Sequence, residues 1–225
     1  MSTESPTQVV EPPYATMSKQ QIRFTLVAMI TSLVAVVSAM SGLNVAQQQL
    51  AVALGASQSG VLWIINAYTL ALAALLLPVG AIGDRWGRKT VLLTGLSVFG
   101  LATVGAVLAT SVPAMIAARS IAGAGAAMIM PVTLSIITSS FPPDERAKAI
   151  GVWAGFAGAG GMIGMFVSAF MIDVVSWRWV FALPLILVVI ALTLTSRFAP
   201  NSKEDSEHPF DVPGSILSAL AIGVA

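Results

Sequence analysis

Long apolar runs broken by short polar segments dominate the chain. After a polar opening stretch, hydrophobic residues fill 24–43, 61–82, 91–110, 113–138, 149–172 and 180–196. Each run approaches the about 20 apolar residues an α-helix needs to cross a bilayer core. The pattern predicts an all-α membrane protein with six spans. A seventh run begins near Val212 and stops at Ala225, too short to cross, so the sequence reads as a fragment or the product of an early stop. The expected organisation is a cytoplasmic disordered tail over 1–23, a six-helix transmembrane domain over 24–196, a cytoplasmic polar loop over 197–211, and the truncated start of a seventh helix over 212–225. The tail holds Pro6, Pro12, Pro13, Glu4 and Glu11, a composition that favours disorder. The run after it is too long for a signal-peptide core and lacks a convincing cleavage site, so the tail is expected to stay attached.

Composition narrows the function. Hydrophobic residues make up 56% of the 225 positions and charged residues 9%, against about 25% charged in soluble domains. A net charge of +1 supplies no field for nucleic acid. The absence of cysteine excludes disulfides, thiolate metal sites and cysteine nucleophiles. The single histidine, His208, lies in a polar stretch without companion ligands, so no metal site is expected. No nucleophile–base constellation is visible, and neither enzymatic activity nor a cofactor is expected.

The charges also set the orientation. Of the eleven basic residues, Lys19, Arg23, Arg85, Arg88, Lys89, Arg146, Lys148, Arg197 and Lys203 fall on one side of the six spans. Arg178 falls on the other side, and Arg119 lies inside a span. Cytoplasmic loops carry the Lys and Arg excess, which places the N-terminus in the cytoplasm of a cell-membrane protein. Trp177 and Trp179 flank Arg178, where ring side chains anchor at the outer headgroups. Arg119, about two turns into its helix, costs roughly 2.5–3.5 kcal/mol on insertion scales. It either faces a cavity or partner, or snorkels to the nearby surface. The fourth and fifth spans are rich in small residues, with Gly151/Gly155 and Gly160/Gly164 at helical spacing. That spacing suits close packing of helix five, or a tightly apposed helix that moves in a transport cycle.

The segment between the second and third spans reads Gly80-Ala81-Ile82-Gly83-Asp84-Arg85-Trp86-Gly87-Arg88-Lys89. Glycines permit a tight turn, and Asp84 has Arg85 or Arg88, or a helix N-terminus, as available partners. A basic loop that only sets topology is the simpler alternative. In its place between these spans, the segment resembles the signature loop of the major facilitator superfamily, with Gly80, Asp84, Arg85, Gly87, Arg88 and Lys89 at the anchor positions. The stretch from Ala118 to Ala127 resembles that family's fourth-helix motif through Arg119 and Gly123, although the usual glutamine is Ala122. Residues 66–74, 153–172, 176–181 and 210–214 resemble the fourteen-helix drug:proton antiporter branch. The resemblance implies the N-terminal half of the fold, two inverted three-helix repeats, faced by a second half absent from this sequence. The repeat itself shows only as Asp173 and the Trp-Arg-Trp segment echoing Asp84 and its basic loop on the opposite side.

The sequence departs from that branch in telling places. Ala39 stands where the first helix usually carries an aspartate before Asn44-Val45-Ala46. In the fifth helix the usual motif is reduced to Gly160 and Gly164, with Met165 in place of its proline. No acidic residue lies at membrane depth in the six spans. The proton-loading group belongs to the absent half, coupling uses Asp84 or Asp173 at the helix ends, or coupling has been lost. The expected function is transport of small solutes, by resemblance proton-coupled multidrug or antiseptic efflux. Its cavity lining would come from Asn44, Gln47, Asn66, Tyr68, Thr69, Ser135 and Arg119. Expected partners are the lipid bilayer, a small lipophilic or amphipathic solute, protons, and the missing C-terminal half or a second copy. The alternative is a half-transporter remnant or partner subunit without transport of its own.

Overall fold

The computed structural model describes residues 13–201, except the side chains of residues 13, 77 and 80–85. Residues 1–12 of the tail expected over 1–23, His208 and the expected seventh helix lie outside the described residues, whereas Pro13–Thr16, also within the expected tail, form a short helix. Six long helices follow one another: α1 (Lys19–Val45), α2 (Gln58–Trp86), α3 (Arg88–Leu108), α4 (Val112–Ser140), α5 (Pro143–Val174) and α6 (Ala182–Phe198). A 3₁₀ turn, Trp177–Phe181, leads into α6, and each of the six spans has membrane-crossing length and hydropathy.

Most helices extend beyond the apolar runs. Helix α1 begins at Lys19 rather than residue 24, and α5 at Pro143 rather than 149. Hydropathy detects only the segment that needs lipid, whereas the backbone keeps its hydrogen-bonded ladder through the polar interface. Local chemistry sets the starts. Ser18, Ser57 and Ser111 each accept a hydrogen bond from the backbone N–H three residues on, at 3.1, 3.2 and 3.4 Å. Such caps satisfy donors that have no partner in the first turn. Helix α5 instead starts behind Pro142 and Pro143, with Asp144 and Glu145 in its first turn, where negative charge is favoured. Within the spans, several buried hydroxyls turn back on their own helix. Ser32 donates to the Ala28 carbonyl at 2.7 Å and Thr103 to that of Phe99 at 2.7 Å, which satisfies both hydroxyls within the helix.

A short helix, Gln47–Leu54, stands where the apolar pattern shows only a loop, and it ends on Gly55 in the left-handed conformation at φ 60°. The first and sixth helices meet at one end of the bundle, where Phe24 and Phe198 stack at 4.6 Å. There Gln21 Nε2 and Thr25 Oγ1 both donate to the Phe198 carbonyl.

The packing follows one scheme. Helix α4 is flanked by α2 on one side and α3 on the other, and α1 is flanked in the same way by α5 and α6. Helices α1 and α4 meet at the centre, and α3 and α6 close the back. Exchanging each helix of the first three with its counterpart in the second three reproduces this arrangement, as two inverted three-helix repeats require. Helices α2 and α5 lie at the two flanks and are the least buried spans.

Glycines set the closest approaches. A Cβ at Gly123 would run into the Tyr68 carbonyl on α2, and one at Gly125 would lie 2.7 Å from the Phe99 backbone nitrogen on α3. Two residues apart, these glycines seat α4 against opposite neighbours. Gly160 and Gly164 both seat α5 against one neighbour, α1, at Val34 and Ser38, whereas Gly151 and Gly155 face open space.

Candidate functional site

Arg119 sits seven residues into α4 from Val112, about 11 Å along the helix axis at 1.5 Å per residue. It does not snorkel: its side chain is 2% exposed. The guanidinium carbon lies 4.2 Å from the centre of the Tyr68 ring on α2, and Nε is buried without a hydrogen-bond partner. Tyr68 in turn donates its hydroxyl to the Val36 carbonyl of α1 at 3.1 Å, and its ring meets Phe99 of α3 edge-on at 6.5 Å. One cation is thus held against one ring at a point where α1, α2, α3 and α4 converge. Among the described residues no carboxylate neutralises it. The ring face offers a cation about 2 kcal/mol or more when desolvated, and the bare Cα of buried Gly123 lets the two helices approach closely enough for the stack.

The expected cavity residues separate into groups. Asn66 and Thr69 are exposed on one face of α2, where Ser59, Leu62, Trp63, Leu70 and Ala73 complete a groove of about 560 Å³. Its wall is mostly apolar, with a few amide and hydroxyl groups, the make-up of a small-molecule site. Gln47 belongs to an adjoining groove of about 350 Å³ with Gln48, Gln58 and Leu62. Asn44 is exposed, accepts from Gln47 Nε2 at 3.3 Å and donates to the Met40 carbonyl. Tyr68 is not a lining residue; it is fully buried behind the groove wall. Ser135 is half-buried on α4 and joins neither groove. Tyr68 was the missed member of the Arg119 centre. Its one sequence signal was being the only tyrosine within the six apolar runs, opposite the only arginine there.

The signature segment is more compact than a loop. Helix α2 continues to Trp86, which keeps Gly80, Asp84 and Arg85 on the helix, and α3 starts at Arg88. Gly87 alone joins them, at φ 95° and ψ 123°. A side chain is strained there by roughly 1–3 kcal/mol. Gly87→Ala is therefore expected to lower the melting temperature in detergent, with Gly105→Ala as control because its nearest neighbour, the Ala118 Cβ, is 3.8 Å away. Equal melting of both variants would show that the junction tolerates a side chain.

Residues 27–223 match the family model described as Major Facilitator Superfamily. The chain belongs to the major facilitator superfamily. Among curated relatives of this facilitator, the methyl viologen resistance protein SmvA of Salmonella typhimurium is 34% identical over 199 residues, covering 88% of this chain and 40% of the relative. The methylenomycin A resistance protein of Streptomyces coelicolor is 32% identical over 88% of this chain and 42% of its own length. The multidrug efflux pump LfrA of Mycolicibacterium smegmatis is 36% identical over 70% of this chain and 31% of its own. The facilitator chain thus spans about two fifths of the length of the curated relatives it matches. Its fold is that of solved transporters. The proton:xylose symporter XylE gives a TM-score of 0.69 at 17% identity, over 92% of this chain and 50% of that one. A bacterial homolog of the human lysosomal transporter Spinster gives 0.71 at 22%, over 87% and 49%.

Proposed function

We propose that this chain contributes six helices to a proton-coupled exporter of small amphipathic solutes, and that solute passes along the exposed face of α2. The observation that carries this reading is the groove of Asn66 and Thr69 on an apolar wall, backed by the buried Arg119–Tyr68 pair. An apolar groove with sparse polar handles accepts varied lipophilic molecules. The drug-resistance names of the relatives point to the same substrate class.

Among the described residues, Asp144, Glu145 and Asp173 are exposed at helix ends, and Asp84 lies near the end of α2. An acid that loads and releases protons at membrane depth is therefore supplied by a second six-helix body facing α2 and α5. In this reading that body follows in the same polypeptide, and the two rock against each other. The test uses cells producing the protein from its full reading frame. Lower accumulation of methyl viologen, abolished by a protonophore, is expected. Unchanged accumulation of methyl viologen and of a panel of lipophilic dyes overturns the reading.

The alternative is a half-transporter acting through a second copy of itself. The 225-residue chain, reconstituted alone in liposomes with a pH gradient, is expected to move no dye. Gradient-driven uptake that an ionophore abolishes would favour the self-paired form.

The proposed orientation has the N-terminus in the cytoplasm of a cell-membrane protein. Thr110 and Asn201 are both exposed, and the native chain has no cysteine to confuse labelling. An impermeant thiol reagent added to intact cells is expected to label Thr110→Cys and spare Asn201→Cys. The opposite pattern would invert the topology.

A further inference from the structure

Two hydrogen bonds tie α3 to α6, one at each end of this antiparallel pair. Lys89, at the start of α3, donates from Nζ to the Ser196 carbonyl near the end of α6, at 2.8 Å. Arg178, just before α6, donates from Nε to the Val107 carbonyl near the end of α3, at 3.1 Å. The two bonds correspond position by position: Arg178 lies 89 residues after Lys89, and Ser196 lies 89 residues after Val107. The same interval relates Asp84 to Asp173. It also governs an unrelated contact in the other part of the bundle. Gly123 of α4 abuts Ala71 of α2, and Gly160 of α5 abuts Val34 of α1. Moving each partner of the first contact by 89 residues, forward for Ala71 and back for Gly123, yields the second. The chain is therefore an inverted repeat with a fixed register, and Arg178 is the counterpart of Lys89, the last cation of the signature segment.

The physical need is the same at both ends. The last carbonyls of a helix have no intrahelical donor, and a cation beside them is favoured by the helix dipole. Because α3 and α6 are antiparallel, each helix end adjoins the start of the other, where a cation reaches across. Trp177 steadies the outer cation, its ring 4.5 Å from the Arg178 guanidinium carbon.

We propose that Lys89 and Arg178 are symmetry-related clamps that lock α3 to α6 at opposite membrane faces, and that Arg178 is a positioning residue for transport equivalent to Lys89. The helix pair then behaves as one strut at the back of the bundle. Only the transport arm of the test rests on the reading above; the exchange arm does not, so the two fail separately.

The experiment is hydrogen–deuterium exchange on the full-length protein in detergent, with dye export measured in parallel. Arg178→Gln is expected to speed exchange at residues 104–109 by about fivefold, the scale of a lost cation at a helix C-terminus, and to leave 193–199 unchanged. Lys89→Gln is expected to do the reverse. Each variant thus loosens the end of the helix it does not belong to, which general destabilisation does not produce. Arg178→Lys is expected to restore native exchange and export. In the transport arm, Arg178→Gln and Lys89→Gln are expected to lower export rate per molecule by similar factors. Both ends responding equally to either variant, no response at either end, or failure of Arg178→Lys to restore exchange would each overturn the clamp. Normal export by Arg178→Gln with the exchange pattern intact would remove its positioning role in transport.

Discussion

Arg119→Met is expected to leave the protein at least as stable as before and to reduce export by tenfold or more. The Arg119 side chain is 2% exposed, its Nε lacks a partner, and the Tyr68 ring is its one charge contact among the described residues. A cation in a spanning helix costs roughly 2.5–3.5 kcal/mol, of which a desolvated ring returns about 2 kcal/mol. Methionine fills a similar volume without charge and adapts to its neighbours. The variant is thus expected to gain about 1 kcal/mol in stability, the difference between those two effects. A costly group kept in a packed centre implies use, and its use is lost with the charge. Arg119→Lys keeps the charge but loses the flat face that stacks on Tyr68, so intermediate export is expected. Thermal melting in detergent and dye export per molecule are the readouts. Normal export by the methionine variant would show that the cation is structural. A large drop in melting temperature would show that the ring contact outweighs the cost of burial.

Gly125→Val is expected to be strongly destabilising. The added Cβ would lie 2.7 Å from the Phe99 nitrogen and 2.9 Å from its Cα. Backbone cannot rotate aside as a side chain does, so α3 and α4 must separate along their contact. Overpacking of this kind costs about 3 kcal/mol, the upper part of the usual range. In lipid there is little hydrophobic drive to restore the pairing, because helix association rests on close packing. Gly105→Val on α3, at an exposed position whose nearest neighbour is 3.8 Å away, is expected to melt near the parent. The two variants add the same atoms to a glycine in a span. Similar melting and similar size-exclusion profiles for the pair would refute the close-approach account.

The spans were legible because lipid imposes a demand that sequence must meet residue by residue, as in 91–110 or 180–196. Loop charge was equally plain. The helix ends were not, since Lys19, Gln20 and Gln21 look like tail although the backbone is already helical there. The Gln47–Leu54 helix escaped for a similar reason: its glutamines and brief apolar stretch carry no readable period over eight residues. The repeat was nearly silent in residue identity. Twofold positions such as Gly123 and Val34, or Ala71 and Gly160, share a place in the packing but not a side chain. What the symmetry preserves is that one member of each contact is small, and this cannot be seen until the partners are known. The Arg119 centre was half legible. A charge in an apolar span announces itself, but a buried tyrosine beside it is indistinguishable in sequence from one that lines a cavity.

The arrangement around α4 also bears on the newborn chain. Synthesis delivers α1, α2 and α3 first, yet these three touch one another sparsely. Helix α2 leans chiefly on α4, and α3 on α4 and α6. Until residue 140 has left the ribosome, the first three spans therefore have few contacts to hold them together, α2 and α3 being joined by Gly87 and a small mutual contact. The arrival of α4 gives both a surface, with Gly123 and Gly125 turned toward them in turn. Arg119 enters the bilayer in that same helix and finds its shelter against Tyr68 only if α2 is still within reach. Assembly of this protein thus has a moment of commitment, set by the fourth helix to be made rather than by the first.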